Sequence, residues 1–209
     1  MKPKPTIRIL LADDHLVVRM GLALMISRQP DMKLVGEAEN GEAAISLANA
    51  LHPDVIIMDL QMPIMDGATA TGRIRADDPS AKILILTTFG TTADVARALN
   101  AGATSAISKD RSQESLIRAI RATANGESVI DDDIRVSVET FRTAPKLSTR
   151  QIEILDYASR GLENAEIAKL LGITADGVKK HLKLIYAALG ASTRAEASAL
   201  ALRLGLLKM

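Results

Sequence analysis

Cysteine is absent from the 209-residue chain, and so is any long apolar run. Without thiols, disulfides and thiolate metal sites are excluded, which is consistent with a reducing compartment. No stretch approaches the ~18 apolar residues that a membrane span requires, and the short apolar run near the N-terminus is soon interrupted by two acids. We therefore expect a soluble, cytoplasmic protein without a membrane partner.

Apolar residues make up 47% of the chain, which is ample for a packed core and argues against disorder. The net charge of +1 is unevenly distributed. From Leu147 onward there are nine Lys or Arg and six Asp or Glu, a balance of +3, whereas the preceding residues hold 17 basic and 19 acidic residues, a balance of −2. The mildly acidic front and mildly basic tail suggest two different partners.

Five short runs rich in Val, Ile and Leu alternate with segments of helical spacing up to about residue 125. Such alternation is typical of βαβ units and a parallel sheet, and continuously apolar runs are typical of strands covered on both faces. We therefore predict an α/β domain over residues 1–125 with a five-stranded parallel, doubly wound (flavodoxin-like) sheet in the order 2-1-3-4-5. The five runs are residues 6–13, 32–39, 54–59, 81–87 and 103–108.

Helical spacing dominates the last third of the chain. Residues 126–146 are predicted to be a linker that contains a helix. Capping boxes then begin at Ser148 and Thr193, and glycines stand where helices should stop. We predict a small all-α domain over residues 147–209, with four helices near residues 148–160, 163–171, 174–189 and 192–206.

Polar residues end the predicted strands. Asp13 and Asp14 end the first and Asp59 the third, at the edge where ligands collect in open parallel sheets, while Thr87 ends the fourth and Lys109 follows the fifth. Three converging carboxylates repel one another unless a cation or a proton relieves them. Hard oxygen ligands without His or Cys nearby favour Mg²⁺, with Mn²⁺ as the alternative. Acids, metal, hydroxyl and ammonium together predict a phosphoryl site with Asp59 as the nucleophile.

Other interpretations of these acids compete with a phosphoryl site. A single acid at a strand end is more often a helix N-cap or a solvated turn residue, so the combination of polar groups carries the prediction. An aspartyl-phosphate enzyme of the haloacid dehalogenase type needs a second acid two residues after its nucleophile, but Asp59 is followed by Leu60 and Gln61. A dinucleotide enzyme is disfavoured because no GxGxxG follows the first strand.

The predicted helices at 163–171 and 174–189 are separated by a turn at Gly172, which is helix-turn-helix spacing. The second helix carries an apolar stripe formed by Val178, Leu182, Ile185 and Leu189. Its other faces carry three lysines, Lys179, Lys180 and Lys183. Lysines near the start of a helix oppose its dipole, although a solvated basic face is their commonest role. Within a helix-turn-helix they can enter the major groove of DNA and meet phosphates or guanine acceptors.

The blocks LLADDH, VIIMDLQMPIMDG, ILILTTF and AGATSAISKD resemble the signatures of two-component response regulator receiver domains, over about residues 6–125. The resemblance implies that Asp59 accepts phosphate from a cognate histidine kinase and that Thr87 and Lys109 bind the phosphoryl oxygens. It implies a Mg²⁺ site formed by Asp13, Asp14, Asp59 and the backbone carbonyl of Gln61. Such a chain is not an enzyme beyond its own phosphorylation and dephosphorylation.

One position departs from the receiver pattern. Receivers usually carry Tyr or Phe three residues before the lysine, and here that position is Ala106. The usual ring moves inward as the threonine contacts phosphate, so its loss removes much of the two-state element. Phe89 is the nearest candidate substitute, or else it only shields the acyl phosphate from water. Gln61 stands where receivers tune dephosphorylation, or is a plain surface residue.

Residues 147–207 resemble the LuxR-type DNA-binding domain of NarL/FixJ-class response regulators, through LSTRQIEIL, GLENAEIAKLLGI, VKKHLKLIYAALG and STRAEA. The resemblance implies that Lys179, Lys180 and Lys183 contact the groove of double-stranded DNA and that His181 contacts its backbone, unless it is an ordinary exposed histidine. Gly177 replaces a usual threonine and Ala187 and Ala188 replace frequent basic residues, which predicts weaker binding per protomer. Dimerisation on a paired site would compensate.

The combined prediction is a DNA-binding transcriptional response regulator that Mg²⁺-dependent phosphorylation of Asp59 activates, with a homodimer as its phosphorylated form. Part of the last helix, from Ala197 to Leu207, is expected to form the dimer contact. The alternative is a phosphorylation-independent DNA-binding regulator, because Ala106 would leave a degenerate receiver switch.

Overall fold

The structure is a computed structural model that describes residues 6–87, 92–143 and 147–207. The chain divides into two compact units, an N-terminal unit that ends at Val138 and a C-terminal unit that begins at Glu139. In the described parts of the chain, no helix is both long enough and apolar enough to cross a membrane.

The described residues of the N-terminal unit form one parallel sheet of five strands in the order β2-β1-β3-β4-β5, which confirms the predicted fold and strand order. The strands are β1 (Ile7–Ala12), β2 (Met32–Ala38), β3 (Val55–Met58), β4 (Ile83–Thr87) and β5 (Ser105–Ser108). Every residue of β3 and β4 is buried, as continuously apolar strands covered on both faces should be. The winding reverses between β1 and β3, whose carboxyl ends are therefore adjacent.

One helix follows each of the five strands, and a sixth helix comes after these five. They are α1 (Leu16–Ser27), α2 (Gly41–Leu51), α3 (Gly67–Asp77), α4 (Thr92–Asn100), α5 (Gln113–Ala124) and α6 (Asp132–Thr143). Asn40, Asp66 and Ser112 cap α2, α3 and α5, and each accepts a hydrogen bond from a backbone N–H three residues on. The last helix, α6, is the one predicted in the linker, and its first half belongs to the N-terminal unit.

The C-terminal unit contains, in its described residues, the four predicted helices. They are α7 (Thr149–Ser159), α8 (Asn164–Leu171), α9 (Ala175–Leu189) and α10 (Arg194–Arg203). Ser148 and Gln151 form the predicted capping box of α7, and Gly172 and Gly190 end α8 and α9 in the left-handed region. The unit has its own core, which includes Ile154, Leu155, Ile167, Val178, Leu182, Ile185, Ala197 and Ala201.

Candidate functional site

The carboxyl ends of β1 and β3 bring the predicted acids together. Asp13 is fully buried and Asp59 is 5% exposed, while the Asp14 side chain is partly exposed. The backbone N–H of Asp59 donates to the carbonyl of Ala12 at 2.8 Å, which fixes the end of β3 beside β1. One ligand atom from each of the three carboxylates and one ring nitrogen of His15 all lie within 4.8 Å of one another. The topology thus assembles a compact acidic site.

Lys109 supplies the positive charge of this site. Its Nζ lies 2.7 Å from Oδ2 of Asp13 and 3.1 Å from Oδ1 of Asp59, and its side chain is only 10% exposed. The backbone N–H of Lys109 donates to the carbonyl of Thr87 at 2.7 Å. Thr87 is itself buried at the end of β4. The ends of β1, β3, β4 and β5 therefore place all five predicted polar residues on one rim of the sheet.

Burial and the neighbouring charges shift the pKa of Asp59. Burial raises the pKa of this carboxyl above its ordinary value of 3.8, and the negative charge of Asp13 raises the pKa further. The positive charge of Lys109 and its hydrogen bond lower the pKa but do not cancel the effect of burial. A partly desolvated carboxylate beside one ammonium group is less stable than one in water and gains from a further cation.

Two buried carboxylate oxygens suit a divalent cation. Oδ2 of Asp13 contacts only the Nζ of Lys109, at 2.7 Å, and Oδ1 of Asp14 contacts only the Nδ1 of His15, at 2.8 Å, with no other hydrogen-bond partner among the described residues. A small cation with oxygen ligands would satisfy both atoms, so the residues fit Mg²⁺. Gln61, whose carbonyl is the fourth predicted ligand, follows Asp59 in the adjoining loop with an exposed side chain.

A histidine, His15, lies beside the three acids, so the prediction of a site without His nearby was wrong. The backbone N–H of His15 donates to Oδ1 of Asp13 at 2.9 Å, and its Nδ1 lies 2.8 Å from Oδ1 of Asp14. The signal was visible in the sequence, because His15 directly follows the two acids. A nitrogen donor beside the carboxylates broadens the range of cations that the site fits, since imidazole suits transition metals better than Mg²⁺.

Gly67 is required by the turn that follows the site. Its backbone N–H donates to the carbonyl of Leu60 at 3.0 Å. A Cβ at this position would lie 1.9 Å from the backbone oxygen of Asp59. The absence of a side chain at Gly67 therefore lets α3 start directly beneath the peptide group of Asp59.

The C-terminal unit presents a basic helix. Val178, Leu182 and Ile185 of α9 are buried and Leu189 is partly buried, so the predicted apolar stripe faces the core. Lys179, Lys180 and Lys183 are exposed. These lysines line a surface groove together with Asn164, Asp176 and Tyr186. The groove therefore brings the basic face of α9 together with the start of α8.

Other residues considered for this surface differ in exposure. His181 is half-buried, and its Nδ1 has no hydrogen-bond partner among the described residues. Gly177 donates its N–H to the Thr174 hydroxyl at 3.0 Å, which caps α9. Ala187 and Ala188 are exposed near the end of α9. The charged side chains of α9 therefore lie between Asp176 and Lys183, and its last six residues carry none.

Two family models match the chain. The model for the response regulator receiver domain matches residues 9–121, and the model for bacterial regulatory proteins of the luxR family matches residues 145–201. The chain belongs to the response regulator family. It is a regulator with a receiver domain and a LuxR-type DNA-binding domain.

Relatives of this response regulator match more than nine tenths of its length. It is 39% identical over 197 residues to the response regulator protein VraR of Staphylococcus aureus, with 92% of this chain and 94% of that protein covered. It is 36% identical to response regulator ChrA of a heme-sensing two-component system, with a TM-score of 0.60 and coverage of 97% and 99%. RcsB of Salmonella enterica serovar Typhimurium, solved on a promoter with the phosphomimetic BeF₃⁻, is 25% identical, with a TM-score of 0.70 and coverage of 93% and 97%.

The residues proposed for switching in this regulator are only partly described. Ala106 is fully buried on β5, the edge strand of the sheet. Phe89 lies outside the described residues, so its place relative to the site is left as a prediction. The sequence interpretation also missed Asp131, whose carboxylate contacts the segment that carries Lys109. The only signal for it was the run of three acids at 131–133.

Proposed function

We propose that this protein is a transcriptional regulator in which phosphorylation of Asp59 by a cognate histidine kinase promotes homodimerisation and binding to double-stranded DNA. The convergence of Asp13, Asp59 and Lys109 in a buried, ion-paired cluster carries the proposal. The proposed domains are the receiver at 1–125, the linker at 126–146 and the DNA-binding domain at 147–209. A cytoplasmic location is part of the same proposal.

Asp59 is the nucleophile of the proposed phosphoryl transfer. One of its carboxylate oxygens attacks the phosphorus of a phosphohistidine, the new O–P bond forms as the P–N bond breaks, and the electron pair of that bond stays on the imidazole nitrogen. Lys109, already 3.1 Å from Oδ1 of Asp59, neutralises charge on the transferred group. Thr87, buried at the end of β4, donates its hydroxyl to a phosphoryl oxygen.

Asp13, Asp14, Asp59 and the carbonyl of Gln61 would hold Mg²⁺ or Mn²⁺. The bound cation would offset the charge of the acids and of the phosphoryl oxygens. Asp13 also keeps Lys109 in place through the 2.7 Å contact, and this contact limits the motion of the ammonium group.

DNA binding is assigned to α9. Lys179, Lys180 and Lys183 are exposed on the second helix of the helix-turn-helix, where they can reach phosphates and guanine acceptors in the major groove. His181 would approach the DNA backbone from the other flank of the helix. RcsB, which was solved on a promoter with BeF₃⁻, supports this assignment through the shared architecture. Exposed residues of α10, such as Leu202, are the proposed dimer contact.

Asp59→Asn tests the phosphoryl site. The purified full chain is incubated with acetyl phosphate and Mg²⁺, and phosphorylation is read from the intact mass. The wild type gains one phosphoryl group, whereas Asp59→Asn gains none because an amide cannot act as the nucleophile. Asp77→Asn, an exposed acid on α3, is the matched control and labels like the wild type. Labelling of the Asp59→Asn chain would refute the assignment.

The double variant Lys179→Ala and Lys183→Ala tests the DNA interface. Losing two phosphate-reaching charges should weaken duplex binding and reduce the slope of log affinity against log salt by about two. The matched control, Lys169→Ala with Arg160→Ala, removes two exposed charges from the same unit away from α9 and α10. Equal binding by the two double variants would show that α9 is not the DNA-reading helix.

A phosphorylation-independent regulator is the second candidate, and Ala106 is the observation that favours it. Without the usual ring, β5 carries no aromatic side chain through which Thr87 could signal. DNA affinity and self-association measured with and without beryllofluoride separate the candidates. An increase in both supports the phosphorylation-dependent function, and unchanged values support the alternative.

A further inference from the structure

The segment between α5 and α6 extends the receiver sheet. Ile130 forms a parallel bridge with Ala106. The N–H of Ala106 donates to the carbonyl of Val129 at 2.9 Å, and the N–H of Asp131 donates to the carbonyl of Ala106 at 3.0 Å. Both backbone groups of Ala106 are therefore occupied by the linker segment, which covers the open edge of β5.

Asp131 attaches the same segment to the residues around Lys109. Its Oδ2 accepts from the backbone N–H of Ser108 at 2.9 Å and from Nε of Arg111 at 2.9 Å. These two residues flank Lys109, whose Nζ contacts Asp13 and Asp59. The Asp131 carboxylate thus fixes the chain before and after Lys109, the residue that is ion-paired with Asp13 and Asp59.

A cavity of about 190 Å³ adjoins Thr87 on the same side of the sheet. Its lining includes Thr87 and Ser108 from the sheet, Val95 from α4, and Ile134 and Val138 from α6, together with charged residues at positions 110, 111, 131 and 133. Side chains alternate along a strand, so Ala106 points to the same face of β5 as Ser108. Ile134 and Val138 are the apolar residues of α6 in the wall of this space, and Val138 is only 4% exposed.

We propose that the linker segment 129–138, anchored by Asp131, is the switch element of this receiver and takes the part that an aromatic side chain would play at position 106. The inference rests on the proposed phosphorylation of Asp59. When Thr87 and Lys109 turn towards a phosphoryl group, the Lys109 segment moves with Asp131, and Ile134 and Val138 close over the space beside Thr87. Phosphorylation therefore tightens the linker on β5, and by reciprocity the linker stabilises the phosphorylated site.

Hydrogen exchange of the full chain tests the proposal. Mass spectrometry follows peptides that cover residues 127–138 and the peptide that carries Asp59, with Mg²⁺ and increasing beryllofluoride. In the wild type, amide exchange in 127–138 should slow about tenfold as the Asp59 peptide becomes protected. Protection at Asp59 without a change at 127–138 overturns the linker proposal alone. Protection at neither overturns the proposed function and the linker proposal with it.

Variants of Asp131 separate positioning from simple support of the fold. Asp131→Ala should lower the affinity for beryllofluoride about tenfold, and at saturation the linker should no longer respond. Asp131→Asn keeps an oxygen acceptor for Ser108 and Arg111 and should restore most of both effects. The control is Asp132→Ala, whose carboxylate is 91% exposed and 3.7 Å from Arg135, and it should behave like the wild type. Wild-type beryllofluoride affinity in Asp131→Ala would refute the role of Asp131.

Discussion

The side chain of Asp59 is buried, so its negative charge is poorly solvated. Burial raises the pKa of this carboxyl, and Lys109 reduces the rise without abolishing it. The folded chain therefore binds the Asp59 proton more tightly than the unfolded chain does. It follows that ionised Asp59 destabilises the metal-free fold, and that this destabilisation is fully present above the raised pKa and fades as the pH falls towards 3.8. A reactive carboxylate is thus maintained at some expense of stability.

We predict that Asp59→Asn raises the melting temperature of the metal-free protein at neutral pH, because the amide needs no charge stabilisation. The gain should shrink as the pH approaches 4. Thermal denaturation in EDTA across this range measures it. Mg²⁺ should stabilise the wild type more than Asp59→Asn, since the variant loses one carboxylate ligand. A lower melting temperature for Asp59→Asn at neutral pH in EDTA would contradict the prediction.

The pKa of Asp66 is shifted in the opposite direction to that of Asp59. Its partial burial tends to raise its pKa, but the hydrogen bond from the N–H of Thr69 and the positive charge of Arg97 outweigh that effect, so the pKa of Asp66 is lowered. Its stabilisation of α3 is present above pH 3.8 and is lost as the pH falls through the lowered pKa. Replacing it with Ala should cost about 1 kcal/mol at neutral pH as a lost helix cap. The two acids, seven residues apart, therefore have opposite effects on stability.

The turn between β3 and α3 and the edge of β5 decide how the site is built. The start of α3 approaches the peptide group of Asp59 so closely that only glycine fits at position 67. At the β5 edge of the sheet, residues 129–131 pair with β5 and link the Lys109 segment to α6. Neither contact involves a reacting side chain, yet both hold elements that carry the reacting residues.

Gly67→Ala should destabilise the N-terminal unit by about 3 kcal/mol and abolish phosphorylation, because the new methyl group displaces the Asp59 carbonyl. Gly72→Ala, in the interior of the same helix, is the matched control. Its Cβ would meet only the Cβ of Ala101 at 3.7 Å, so the gain in helix propensity should stabilise the unit by about 1 kcal/mol. Urea denaturation and acetyl phosphate labelling measure both effects. Equal stability of the two variants would contradict the steric argument.

The whole molecule consists of two units with separate cores. The N-terminal core lies between the sheet and its helices, and the C-terminal core lies among α7, α8, α9 and α10. The charges also divide, with the acidic site in one unit and the exposed lysines of α9 in the other. Each unit can therefore be altered by mutation without altering the core of the other.

Ile185→Ala should lower the stability of the C-terminal unit by about 2–5 kcal/mol, because Ile185 is fully buried and the change leaves a cavity. Phosphorylation of the N-terminal unit by acetyl phosphate should persist at temperatures where DNA binding is lost. Calorimetry together with labelling and duplex binding measures this difference. Leu184→Ala, at the exposed neighbouring position, is the control and should leave the C-terminal transition nearly unchanged. Loss of labelling together with DNA binding in Ile185→Ala would contradict independent units.

The sequence alone determined the strand order and the residues that meet at the acidic site. Val55 to Met58 form a continuous apolar run, and such a run is stable only between two layers of helices. Parallel strands all end at one edge, so Asp13, Asp59 and Lys109 had to converge there. The strands follow from local periodicity, and their order is the usual one for a doubly wound sheet of five strands.

Only the tertiary structure decided how far the site extends. Asp131 accepts a hydrogen bond from Ser108, 23 residues away in the sequence. Gly67, at the start of α3, packs directly against the backbone of Asp59. No periodicity in the sequence encodes such contacts, because they depend on where separate elements pack. The sequence marked Ala106 as the loss of a switch, whereas the fold shows its backbone paired with Val129 and Asp131. An edge strand leaves N–H and C=O groups without partners, and this chain uses its own linker to satisfy them.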